Sequence, residues 1–174
     1  MNCVATNKNI RKQKRYDEGM KEAVRKSSLF LDYVLSDKLR WSNSRINQIH
    51  STFNDVADEV SKGKVTIKDL MDVLKREHDV DVIIPKEGRI RPSGMYSDYV
   101  NGIYASSDAV SVILLYVLIH VYGCGEEKTA KVISGITYIA ESVNLGYITE
   151  EEIRQGLLEE EGLEVRRLQN VRDI

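Results

Sequence analysis

The sequence predicts an all-α protein made of two tandem three-helix repeats, and three observations lead to that fold class. The 174 residues are 42% hydrophobic and 30% charged but include only two prolines, which fits helices better than a many-turned β-sandwich or a disordered chain. Shifting the sequence by 83 positions aligns residues 28–82 with 111–165 without a gap, and 13 of the 55 aligned pairs are identical. Apolar residues in both segments recur at the three- and four-residue spacing of one helix face. They are Ile46, Ile49, Phe53, Val56 and Val60 in the first segment, and Val132, Ile136, Ile139 and Val143, preceded by Thr129, in the second.

The first repeat is predicted at residues 17–82, after a basic N-terminal arm at 1–16. The apolar periodicity predicts three helices in it, at 17–38, 44–61 and 67–77. Thr66 followed by Asp69 has the pattern of a capping box, in which the hydroxyl accepts a bond from a free helix N–H and the acid reaches back. Gly63 lies just before this box, where the preceding helix must end and a positive φ is useful.

The second repeat is predicted at residues 107–165, followed by a C-terminal tail at 166–174. Its three helices are predicted at 107–122, 126–144 and 150–161, and Gly146, Thr149 and Glu152 repeat the end signals of the first copy. The first of these helices is apolar nearly all round, so we expect it to lie deepest and the second repeat to supply the centre of the core. Its apolar run is shorter than the roughly 20 residues of a membrane span, which predicts a core helix, no membrane association and a cytoplasmic protein.

A linker is predicted at residues 83–106, because both prolines and several glycines lie there. The segment is also rich in arginine and tyrosine, the residue types that dominate binding hot spots. These candidates for partner binding are Arg89, Arg91, Tyr96, Tyr99 and Tyr104. Two alternatives stay open, since the tyrosines can instead attach the linker to the two bundles or belong to a short helix that caps the second repeat.

Charge is unevenly distributed although the formal net charge is only −2. The N-terminal arm carries five basic residues and no acid before Asp17, and these are candidate nucleic-acid contacts: Lys8, Arg11, Lys12, Lys14 and Arg15. The C-terminal region is acidic and offers candidate contacts to a basic partner: Glu150, Glu151, Glu159 and Glu160. The alternative is that both groups are ordinary solvated surface.

Catalytic and metal-binding signatures are weak, so the sequence predicts no enzyme, no cofactor and no metal. None of the three histidines, His50, His78 and His120, has a second ligand three or four residues away on its helix. Cys124 lies between two glycines, where a thiolate is stabilised only if a base or positive charge is near, and we expect it to be inert. The spaced pair Asp79 and Asp81 lacks the glycine and the closing glutamate of a calcium loop.

A pattern across residues 11–82 resembles small helical proteins encoded by phages and prophages of Gram-positive bacteria. It consists of Arg15-Tyr16-x-x-Gly19-Met20, then Arg45-Ile46, then Gly63-x-Val65-Thr66-x-x-Asp69-Leu70-x-x-x-Leu74-x-x-Glu77. A chain of this size from such a source is similar to phage inhibitors of host defence, including anti-CRISPR proteins directed at the single-subunit RNA-guided nuclease of type II systems. The resemblance implies a protein partner and no chemistry of its own.

The function predicted from these features is a non-catalytic inhibitor that binds a bacterial defence nuclease in the host cytoplasm. An acidic surface can occupy a basic nucleic-acid channel, and the Arg/Tyr cluster of the linker would anchor the complex. The alternative is a DNA-binding or regulatory phage protein that uses the basic arm. The oligomeric state stays open, with a homodimer among the alternatives.

Overall fold

Six α-helices form the fold in a computed structural model that describes residues 3–84 and 94–161, and no strand occurs among these residues. The helices are α1 (Cys3–Tyr33), α2 (Asn43–Ser61), α3 (Ile67–His78), α4 (Ser97–Tyr116), α5 (Glu126–Asn144) and α6 (Glu150–Glu161). Two of them end in a wider π-helical segment, α1 at Val34–Lys38 and α4 at Val117–Val121. A single 3₁₀ turn, Gly94–Tyr96, precedes α4. The predicted all-α class is therefore confirmed.

Helices α1 and α4 are the central pair and run parallel to each other. Gly19 and Gly102 meet where they cross, and a Cβ built on Gly19 would lie 2.0 Å from the carbonyl oxygen of Tyr99. The reciprocal contact joins Gly102 to the carbonyl oxygen of Tyr16, at 2.1 Å. Further along both helices, Leu31 and Leu114 line the same small cavity. The two helices therefore stay side by side and run in the same direction. Only glycine lets two backbones approach this closely.

The outer helices pack across this pair. Helix α1 contacts α5 and α6, whereas α4 contacts α2 and α3. Ion pairs from Arg25 and Lys26 of α1 to Glu150 fix the start of α6. A hydrogen bond of 3.0 Å between Thr52 and Tyr122 joins α2 to the residue that follows the π-helical end of α4. Each long helix therefore packs against outer helices that belong to the other half of the sequence.

The core lies between α1, α4 and the outer helices that cover them. Leu29, Val34 and Leu35 of the α1 region are fully buried, as are Val112 and Val117 of the α4 region. The expectation that the second segment alone supplies the centre is wrong, because the close glycine contact brings α1 equally deep. Val117 and Ile139 are buried in this core, whereas Ile136 is partly buried against it.

Helix ends follow the predicted signals closely. In α3 the Thr66 hydroxyl accepts from the Asp69 N–H at 3.2 Å, and the Asp69 carboxylate accepts from the Thr66 N–H at 2.8 Å. Thr149 and Glu152 make the same reciprocal bonds at the start of α6, at 3.2 and 2.7 Å. Gly63 and Gly146 have φ values of +68° and +75°, in the region that side chains disfavour.

The structure corrects two predicted boundaries. Helix α1 begins at Cys3, so the described part of the predicted basic arm is helical; its lysines, arginines and glutamine favour a helix, and no proline or glycine interrupts it. Helix α4 begins at Ser97, ten residues before the predicted start at 107. Gly102 suggested a loop, but its role is to admit α1. Residues 85–93, which include Arg89 and Arg91, and the tail at 166–174 lie outside the described residues.

One described helical stretch, Ser97–Val121, is long and apolar enough to cross a membrane, judged by length and composition alone. Half of its most apolar window is buried inside the fold. A core helix of a soluble protein has the same two properties, and the packing of this stretch against α1 matches that description.

Candidate functional site

The aromatic cluster predicted in the linker does not form a single surface. Tyr96 is 69% exposed just before α4, whereas Tyr99 and Tyr104 are half-buried along that helix. The backbone of Tyr99 lies against Gly19. The tyrosines therefore divide between the exposed Tyr96 and the half-buried Tyr99 and Tyr104, which belong to α4.

The predicted acidic surface is partly neutralised within the chain. Glu150 is half-buried, and its carboxylate lies 2.5 Å from Arg25 and 3.4 Å from Lys26. Burial alone would raise the pKa of Glu150, but the hydrogen bond and charge of Arg25, with the charge of Lys26, lower it overall. Glu151 and Glu159 remain exposed on α6, whereas the side chain of Glu160 is outside the described residues. Glu150 thus stabilises the fold and leaves fewer acids for a partner.

The predicted basic residues extend along the N-terminal half of α1. Lys8, Arg11, Lys12 and Lys14 are exposed, and the spacing of the first three places them on one side of the helix. Arg15 is half-buried and lies 3.6 Å from Asp98 of α4. This basic segment is therefore a helical surface with four exposed cations.

An apolar surface that the sequence analysis missed lies at the C-terminal end of α5. Tyr138 is 65% exposed, Leu145 is 66% exposed and Tyr147, in the turn before α6, is 81% exposed. Tyr138 and Leu145 are seven residues apart, or two helical turns, which puts them on the same face. We call these three residues the α5 patch.

The α5 patch has polar counterparts elsewhere in the chain. The positions 83 residues earlier are Asp55, Lys62 and Lys64, which are all exposed and occupy the corresponding places at the end of α2 and in its following turn. The turn itself therefore folds with charged residues at these places. A position-by-position comparison of the two aligned segments would have revealed the patch. The apolar periodicity alone does not separate these residues from the buried apolar face of α5.

Two histidine arrangements also differ from the sequence-based expectation. His50 is buried, and its Nε2–H donates to the carboxylate of Asp32 in α1. Glu77, His78 and His120 bring three possible metal-ligating atoms within 4.8 Å of one another. Helical spacing could not predict this second group, because the ligands come from two elements 42 residues apart.

Cys124 is buried, at 8% exposure, and lines a groove of about 740 Å³ beside the start of α5. His78 and Asp79 line the same groove on the opposite element, α3.

Comparison with protein families, with curated proteins and with solved structures found no match to this chain.

Proposed function

We propose that the chain is a tandem duplication of one three-helix unit, with residues 83 apart as equivalents. Support comes from helix bounds: α2 and α5 both have 19 residues and start 83 positions apart, and α3 and α6 both have 12 and start 83 apart. The two π-helical segments keep the same offset. The contacts of Gly19 with Tyr99 and of Gly102 with Tyr16 are also exchanged by this shift. Such reciprocal contacts are what a twofold relation produces.

In a duplicated scaffold, differences between equivalent exposed positions indicate function, because the common fold accepts either residue. The α5 patch is such a difference, since a tyrosine, a leucine and a tyrosine replace an aspartate and two lysines. Removing exposed apolar surface from water is favourable, and tyrosine is enriched at interface hot spots because its ring buries area while its hydroxyl still hydrogen-bonds. This difference is the observation that carries the functional proposal.

The proposed function is that of a non-catalytic binding protein that docks on a protein partner through the α5 patch. The exposed Glu141 and Glu151 lie on the helices that bear and follow the patch, and their charge favours a partner with a basic surface. A bacterial defence nuclease has such a surface where it holds nucleic acid. The resemblance to phage proteins makes an RNA-guided nuclease the first partner to test.

The decisive experiment exchanges the patch for the residues of the first half, as Tyr138→Asp, Leu145→Lys and Tyr147→Lys together. Tagged wild-type protein should retain a nuclease from bacterial lysate and inhibit DNA cleavage by that nuclease after purification, and the triple variant should do neither. Val121→Lys is the matched control, because it also replaces an exposed apolar residue, 47% exposed, by its first-half equivalent, Lys38. Inhibition that survives in the triple variant, or wild-type protein that retains no nuclease, would contradict the proposal.

The basic segment of α1 supports a second candidate function, binding to the phosphates of a nucleic acid. Three of its four exposed cations lie on a part of α1 that extends beyond the start of α4, because the fourth, Lys14, is the position equivalent to Ser97. Four phosphate contacts give a slope of about −3.6 in a plot of log affinity against log salt concentration.

A mobility-shift titration of duplex DNA at several salt concentrations measures that slope. Replacing Lys8, Arg11, Lys12 and Lys14 by glutamine should abolish the shift and leave helix content unchanged. Replacing the α5 patch should leave it intact. Binding that does not weaken with salt would exclude the basic segment as the contact.

A further inference from the structure

Three side chains with metal-ligating atoms meet where the end of α3 reaches the end of α4. His78 Nε2 lies 3.1 Å from His120 Nδ1, and His120 Nδ1 lies 3.3 Å from Glu77 Oε2. All three atoms lie within 4.8 Å of one another. Glu77 and His78 are adjacent near the last turn of α3, whereas His120 is in the π-helical segment after α4.

These separations suit a shared metal ion. A tetrahedral zinc ion with bonds of about 2.0–2.1 Å to nitrogen and oxygen holds its ligand atoms roughly 3.3 Å apart. Two imidazoles and one carboxylate are a ligand set that zinc uses when a fourth position stays open to water. Two of the three separations are already near this spacing and the third is within 4.8 Å, so binding requires the ligands to draw together by a modest distance.

Neighbouring groups hold the ligands in place. The ring of Tyr116 stacks on His120, with 4.8 Å between centroids and 27° between planes. Arg76 donates to Glu77 Oε1 at 2.9 Å, which leaves Oε2 directed toward His120. Outer contacts of this kind orient metal ligands and raise their affinity.

The fold itself does not require this cluster. The residue equivalent to His120 in the first half is Asp37, which pairs with Lys38 at 2.7 Å. The π-helical turn therefore forms with or without a histidine at this position. The groove of about 740 Å³ that His78 lines gives solvent access to the same end of α3.

We propose that Glu77, His78 and His120 bind a divalent transition metal, with zinc the best fit, and that the ion links α3 to the end of α4. The site goes beyond the proposed partner surface and uses none of its residues. Imidazole and carboxylate together suit zinc, and calcium and magnesium prefer all-oxygen sites. The three protein ligands leave one coordination position for water or for a donor atom of a bound molecule.

The test measures zinc binding by isothermal titration calorimetry. Zinc is titrated into the purified chain after a chelator has removed any bound metal. One ion should bind per chain, and His120→Ala and His78→Ala should each weaken binding by more than about 100-fold, since loss of an outer contact alone weakens it 10- to 100-fold. Glu77→Gln keeps the shape and removes the charge, so it should also weaken binding. Cobalt should give the intense visible absorption of a tetrahedral site in wild-type protein and not in the two histidine variants.

Asp79→Asn is the matched control. Asp79 follows His78, lines the same groove and has a φ of +55°, which asparagine accepts readily. This variant should bind zinc within about threefold of wild type, and metal-free melting temperatures should show that all variants fold. No binding at millimolar zinc, full binding by His120→Ala, or equal loss in Asp79→Asn would overturn the assignment.

Discussion

At the scale of single residues, the buried pair of Asp32 and His50 is the least expected contact in the core. Both side chains are nearly inaccessible, and the Nδ1 atom of His50 has no hydrogen-bond partner among the described residues. The equivalent positions in the second half are Leu115 and Ile133. Those two side chains are half-buried and line the groove of about 740 Å³, whereas Asp32 and His50 are buried.

We predict that breaking this pair destabilises the protein strongly, whereas replacing it does not. His50→Ala leaves the Asp32 carboxylate buried without its donor and should cost about 3–5 kcal/mol of unfolding free energy. The double change Asp32→Leu with His50→Ile copies the second half and should be neutral or stabilising. Urea unfolding measures both. A double variant less stable than His50→Ala would contradict this expectation.

Gly19 and Gly102 set the distance between the central helices, and a substitution there should be costly. Gly19→Ala places a methyl group 2.0 Å from a backbone oxygen that cannot rotate away. We expect a loss of about 1–3 kcal/mol or more. Gly156→Ala is the control, because Gly156 lies inside α6 with nothing within 4 Å of a new Cβ, and it should gain about 0.5–1 kcal/mol. Thermal melts of both variants test the opposite signs.

At the scale of elements, the short helices α3 and α6 depend on their first turns. Each has 12 residues, near the lower limit at which a helix is stable without tertiary contacts. The reciprocal bonds of Thr66 with Asp69 and of Thr149 with Glu152 satisfy backbone groups that would otherwise lack partners.

We expect Thr66→Ala and Thr149→Ala each to lower the unfolding free energy by about 1 kcal/mol. The two caps lie on different helices and share no partner, so their effects should add. Chemical denaturation of the single and double variants provides the measurement. The corresponding serine variants keep the hydroxyl and should retain most of the stability.

The same caps make stability depend on acidity. The hydroxyl and backbone N–H of Thr66 lower the pKa of Asp69, and the backbone N–H and hydroxyl of Thr149 lower that of Glu152. A lowered folded-state pKa contributes stability above the ordinary values of 3.8 and 4.5, and this contribution is lost as pH falls through the lowered values. The Asp69→Asn, Glu152→Gln variant should therefore lose less stability than wild type between pH 5 and pH 3. Equal losses would contradict this origin.

The elements that could be predicted from sequence are those with local signals. The ranges of α5 and α6 match the structure, and those of α2 and α3 differ by one residue, because apolar spacing and caps mark their ends. The start of α4 was missed, since Gly102 reads as a loop residue unless its contact with the distant helix α1 is known. The start of α1 was missed because the charged residues before Asp17 lack an apolar periodicity, although they favour a helix. The cluster of Glu77, His78 and His120 and the α5 patch were missed as well: the first is a contact between elements, and the second needs a comparison between the halves.

At the scale of the whole molecule, the long helix of each half packs against the shorter helices of the other half. Helix α1 packs on α5 and α6, and α4 packs on α2 and α3. A unit of this size alone buries too little apolar surface for high stability. In the separated halves, the apolar faces of α1 and α4 would also lose their main cover.

We predict that residues 1–84 and 85–174, produced as separate chains, do not fold as monomers but form the native helices when mixed. Circular dichroism and size-exclusion chromatography should show recovery of helix content in a 1:1 mixture. Gly19→Leu in the first fragment should prevent this recovery, because it blocks the helix crossing. A fragment that unfolds cooperatively as a monomer would contradict the exchanged packing.

Because the two halves belong to one chain, the number of binding sites per chain is also fixed. In a homodimer every substitution occurs twice, so each new surface appears as a symmetric pair and binds two partners. Here Tyr138 has Asp55 as its equivalent, and His120 has Asp37. Each proposed site therefore occurs once per chain, and titrations should end at one partner and one ion per molecule. As a monomer, such a chain would saturate its target without cross-linking it and would gain no avidity from a second arm.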